Sequence, residues 1–110
     1  MLLVTNRIPD QGAASAQREV TFNNDVVDIS NSLFYCQYED GVIKERLSEN
    51  FLTDLKNSPK KSILFYLHGY KTSFAKAVGK GRSLQLLLDR IAPQLVEVVT
   101  LVSRVRQKYG

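Results

Sequence analysis

Ile63-Leu64-Phe65-Tyr66-Leu67 is the stretch that most restricts the folds open to this chain. Five consecutive apolar β-formers read as a strand buried on both faces, as in a parallel sheet. The run passes directly into His68-Gly69-Tyr70-Lys71-Thr72, after which Ser73 is placed to cap a helix. Phe74, Val78, Gly81, Leu84, Leu88 and Ile91 then trace one helical face, and Ala92-Pro93 ends it. Leu95–Val102 is a second β-rich run. Residues 62–102 thus predict a βαβ unit, a parallel strand pair joined by a right-handed crossover.

The residues before it predict shorter elements. Leu2–Thr5 reads as a strand and 6–16, with Pro9 and Gly12, as a loop. Glu19–Phe22 is a short strand. Ser32–Tyr38 and Val42–Leu47 flank Asp40-Gly41, a pair suited to a type I′ turn because both central residues need positive φ. Helical spacing of Leu47, Phe51, Leu52 and Leu55 predicts a helix over 49–57, with Ser48 as N-cap and Pro59 beyond its end. The expected class is therefore α/β. Its mixed sheet has an antiparallel N-terminal part carrying the hairpin, followed by the βαβ unit.

A chain of 110 residues suits one domain, expected here as a single incomplete one over 1–110. With 44% apolar and 24% charged residues, bulk disorder, collagen and coiled coil are excluded. No apolar run approaches the ~18 residues of a membrane span. The opening residues lack the basic and apolar regions of a signal peptide, and Cys36 is the single cysteine. Both fit a cytoplasmic protein without disulfides. One Cys and one His cannot build a zinc site of the usual Cys/His kind, and no metal or cofactor is implied.

Charge is unevenly spread. Residues 1–55 carry four basic side chains against nine acids, a net −5, while residues 56–110 carry eleven against two, a net +9. Such asymmetry suits a nucleic-acid or acidic-partner surface, packing of one half beside the other, or a basic half that faces further chain. Nucleic acid is disfavoured, because no aromatic residues interleave with Arg104, Arg106 and Lys108.

The chemistry-bearing stretch is 63–74. Where a buried strand turns sharply into a helix, backbone N–H groups lack ladder partners and can face a developing negative charge. Gly69 is either a simple tight-turn residue or one that lets a ligand approach the backbone. ILFYLHGYKTSFAKAV resembles the first central strand, His-Gly-aromatic turn and first helix of α/β hydrolases. The likeness is strongest to an uncharacterised bacterial α/β-hydrolase-like family. It extends loosely over 1–102, with LLVTNR near the start, and is specific over 62–78. It implies a serine ester or acyl hydrolase whose nucleophile, acid and histidine follow in that order. It also implies that His68, Gly69, Tyr70 and Lys71 form the turn, with N–H groups near Tyr70 and Lys71 giving half of an oxyanion hole. The family order would set strand 95–102 beside the hairpin and strand 63–67 beyond it.

The chain departs from the family pattern. It has no G-x-S-x-G, and His68, its single histidine, stands in the turn motif and not at the position of a general base. No catalytic residue is assigned. The expectation is the N-terminal part of such a hydrolase, ended before the nucleophile and inactive alone. A small ester is a substrate only for an intact relative. The alternative is a small non-catalytic α/β interaction module that binds an acidic partner or forms a homo-oligomer through an exposed strand edge. His68 reads first as a residue shaping the turn by hydrogen bonds, Ser73 as a helix cap and Cys36 as a small core residue. Gly79-Lys80-Gly81 lacks phosphate-loop spacing and falls inside a helical pattern.

Overall fold

Asp40 and Gly41 take φ of 51° and 81° in the computed structural model of the chain, the two positive values of a type I′ turn. The structure describes residues 1–12, 17–23, 29–68 and 73–102. The turn joins β3 (Ile29–Glu39) to β4 (Val42–Arg46), with Glu39 opposite Val42. Around it run β1 (Leu2–Arg7), β2 (Arg18–Val20), α1 (Ser48–Lys56), β5 (Ser62–Leu67), α2 (Phe74–Ile91) and β6 (Val96–Val102). The protein is α/β, with one mixed six-stranded sheet ordered β2-β4-β3-β1-β6-β5. β5 and β6 pair in parallel with α2 between them in sequence, as a βαβ unit requires.

The expected strand order needs one correction. β6 does not lie beside the hairpin, because β1 stands between them. β1 pairs antiparallel with β3 and parallel with β6, so it joins the two halves of the sheet. Leu2 and Val4 point to one face, Leu3 and Thr5 to the other. Leu3 meets Phe34, Cys36, Phe74, Ala77, Val78 and Val102 in the larger core, on the α2 face. Leu2 meets Phe51 and Val99 beneath α1. Each fully buried aliphatic side chain there contributes about 1.5–3 kcal/mol.

Helix ends follow the sequence with one exception. Ser73 caps α2, its Oγ accepting from the Lys76 N–H at 3.2 Å. Ser48 does not cap α1; Leu47 holds the N-cap position and offers no side-chain acceptor. The helix is held instead by packing, with Phe51 tilted against Tyr35 at 5.1 Å and Arg46 paired with Asp54 at 2.9 Å.

α2 lies on β6. Gly81 faces the side chain of Thr100, which occupies the space a Cβ would need. One turn on, Gln85 donates to the Val96 carbonyl at 2.8 Å and accepts from the Val98 N–H at 2.7 Å. β1 begins to pair only at Val99, so this amide serves β6 backbone groups where β1 gives none. Lys60 reaches Asp89 at 2.6 Å and so ties the entry of β5 to the last turns of α2. That hydrogen bond holds the Asp89 carboxyl below the usual carboxylate range.

The strand over 63–67 is not buried on both faces. β5 is an edge strand, and Phe65 and Leu67 remain 59% and 63% exposed. The helical stripe fails likewise at its far end, where Ile91 is 72% exposed. The cause is shared: α2 packs over β6, and α1 sits near the middle of the opposite face, so neither helix covers the outermost strand.

Candidate functional site

His68 directly follows the C-terminal end of β5 and is half-buried. In open α/β sheets this is the end at which ligands bind. Ser73 stands on the far side of the turn with its hydroxyl engaged as a cap, so that oxygen is a structural acceptor and not a poised nucleophile. The other expected turn residues, Gly69, Tyr70 and Lys71, lie outside the described residues, as do Arg104, Arg106 and Lys108. Gly79-Lys80-Gly81 lies within α2, where its N–H groups serve the helix and cannot cradle a phosphate.

Cys36 is fully buried in the larger core. Burial, then the neighbouring Glu45 charge, pushes its thiol up to about 12. An aromatic disulfide reagent at pH 8 is therefore expected to leave it untouched in the folded protein. Its thiolate fraction sits roughly 10³-fold below that of a free cysteine. Denaturant should release full reactivity, and rapid labelling without denaturant would contradict this placement. The same shift sets a pH dependence. The folded state keeps the proton while the unfolded thiol ionises, so this contribution to stability is complete below about pH 9 and declines as pH rises toward 12.

A cavity of about 300 Å³ opens on the α2 face beside the hairpin. Phe22, Tyr38, Ile43, Phe74 and Val78 give it an apolar floor, and Arg82 stands at its wall, 5.7 Å over the Tyr38 ring. Phe22 and Phe74 stack at 4.1 Å. Sequence reasoning missed this groove, because its walls come from β2, the hairpin and α2, segments far apart in the chain. The groove does not include His68.

Among the described residues no group of three or more His, Cys, Asp and Glu could hold a metal ion, and no helix is long and apolar enough to cross a membrane. No family model matches the chain, and no curated protein or solved structure matches it.

Proposed function

We propose that this chain is the N-terminal part of an α/β-hydrolase-like domain of the serine ester or acyl hydrolase class. The observation that carries the reading is the parallel β5–α2–β6 unit, with His68 at the C-terminal end of β5 and Ser73 capping the helix that follows. In this reading the turn at His68, Gly69, Tyr70 and Lys71 offers backbone donors to an oxyanion. Nothing in the sequence supplies the elbow serine or the late histidine, and half of an oxyanion hole without a nucleophile gives no triad turnover.

The chain is expected to hydrolyse activated aryl esters no faster than a heat-denatured control. A robust rate abolished by a serine-reactive phosphonate would refute this inactivity. The intact mass of the endogenous protein tests the hydrolase assignment itself. A product well above the mass of 110 residues, carrying a serine elbow and a late histidine, is expected. A mass matching 110 residues would remove catalysis from consideration.

A specific observation favours a second reading, a non-catalytic interaction module. β5 presents an apolar, uncharged edge, and the half of the chain that holds it is strongly basic. A strand of this kind joins other chains through its backbone and its bare side chains.

A further inference from the structure

The groove between α2 and the hairpin is apolar and carries a charge of one sign. Arg82 is the single charged side chain among the described residues that line it. Arg82 is exposed on α2, and no carboxylate of the described residues pairs with it. Its guanidinium lies over the Tyr38 ring instead. Glu39 follows Tyr38 in β3 and therefore points to the opposite face of the sheet, and Asp40 does not line the groove. The start of α2 adds to the same sign. Phe74 and Ala75 line the groove, the first turn of the helix holds no acid, and a helix N-terminus carries partial positive charge. The Arg7 guanidinium stands 6.0 Å over the Phe74 ring.

We propose that this groove binds a small aryl carboxylate, its flat ring system against Tyr38, Ile43 and Val78 and its carboxylate on Arg82. The proposal goes beyond both readings above and rests on neither. A volume of about 300 Å³ is the lower end of the range for small-molecule sites, so one compact ring system fills it. The wall is aromatic at Phe22, Tyr38 and Phe74, which favours a flat unsaturated body that can meet ring faces and edges. A carboxylate matches the planar N–H fork of Arg82 with two parallel bonds. A ligand amine would be repelled by the same group, and a neutral ring would gain nothing from it.

Two positions separate the contributions of charge and of shape. Arg82→Gln keeps most of the side chain and removes the cation, so it acts on the carboxylate alone. Gly79 lines the groove one turn from Ala75, and nothing stands within 4 Å of its would-be Cβ. Gly79→Leu therefore adds a branched side chain to the groove wall without striking the protein, and it acts on the ring whatever its charge. Arg82 and Gly79 are both exposed, so circular dichroism should show each variant folded.

Titration of the ¹⁵N-labelled whole chain with 2-naphthoate, followed by amide NMR shifts, tests this, with the neutral 2-naphthylmethanol as the matched control. Saturable binding of 2-naphthoate with Kd below about 1 mM is expected, its shifts centred on 20–23, 38–43 and 74–82. The alcohol should bind about 10-fold more weakly, the lower end of what a hydrogen bond to a charged group contributes. Arg82→Gln should bring the acid down to the level of the alcohol and leave the alcohol unchanged. Gly79→Leu should weaken both by a similar factor. Absence of saturable binding would overturn the proposal. So would equal affinity of acid and alcohol for the unaltered chain, an Arg82→Gln loss shared by both, or undiminished binding in Gly79→Leu. Shifts centred on the exposed β5 residues 63–67 would overturn it as well, since they would place the naphthyl ring on bare apolar surface. None of these outcomes bears on the ester assay or on the endogenous mass, so failure here is distinct from failure of the hydrolase reading.

Discussion

Arg18→Ala is expected to destabilise the fold by about 3 kcal/mol, the lower end of the range for breaking a buried ion pair. Glu45 lies on β4, its side chain 1% exposed, on the same face as Cys36. The Arg18 guanidinium meets its Oε2 at 2.8 Å. The same group donates to the Gly12 carbonyl at 2.6 Å and the Gln11 carbonyl at 3.3 Å. That loop is in turn fastened to the strand exit by Asp10, which accepts from the Thr21 hydroxyl at 2.6 Å and the Asn23 N–H at 2.9 Å. Removing Arg18 therefore deprives a buried carboxylate of its cation and frees the loop around Gly12. Arg18 is itself partly exposed, which places the effect at the lower end. Urea denaturation of Arg18→Ala, Glu45→Gln and the double variant measures this. The double variant should lie well above the sum of the singles in stability, because neutralising Glu45 removes most of what the loss of Arg18 exposes. Additive losses would mean that the two side chains are not coupled.

The second large effect is at Gly81. A Cβ there would overlap the Thr100 Oγ1 and stand 3.2 Å from the Thr100 Cβ. Thr100 is fully buried and β-branched, so it has little room to turn aside. Alanine would favour the helix by about 1 kcal/mol over glycine. Overpacking at a closed site costs about 1–3 kcal/mol. Gly81→Ala is therefore expected to lose about 1 kcal/mol net, and Gly81→Leu about 3 kcal/mol or more, by pushing α2 off β6. Gly79 supplies the control. It lies two residues earlier in the same helix, and nothing stands within 4 Å of its would-be Cβ, so Gly79→Ala should stabilise by about 0.5–1 kcal/mol. Thr100→Ala in the Gly81→Ala background should recover part of the loss. Opposite signs at Gly79 and Gly81 in the same urea series support close approach. Equal gains at both would show that α2 does not rest on Thr100.

These two sites were not equally legible in the sequence. Arg18 and Glu45 stand in the short polar runs Gln17–Glu19 and Lys44–Arg46, and nothing local marks them as partners; only the pairing of β2 with β4 brings them together. Gly81 did read as part of the buried helical face, since glycine among Phe74, Val78 and Leu84 fits a close contact. What it touches was not readable, because Thr100 belongs to a strand that returns after the whole helix. The end of β5 at Leu67 and the Ser73 cap were readable, from a strand's end meeting glycine and a capping serine; the turn residues 69–72 between them lie outside the described residues. The apolar groove under Arg82 was not, since it needs three elements brought side by side.

Local residue chemistry was enough for the hairpin turn, the span and capping of α2, the parallel nature of the β5–β6 pair and the burial of Cys36. Each depends on chemistry within a few residues or on a short crossover. Asp-Gly admits positive φ, a serine hydroxyl reaches an amide three residues on, and a helix of this length between two strands brings them back parallel. Tertiary structure alone decided that β1 lies between the hairpin and β6, and that the most apolar strand stands at the edge. Hydrophobicity measures how strongly a segment prefers burial, while the neighbours that could bury it are set by the order in which strands join the sheet. In this chain that order leaves Ile63, Phe65 and Leu67 facing outward.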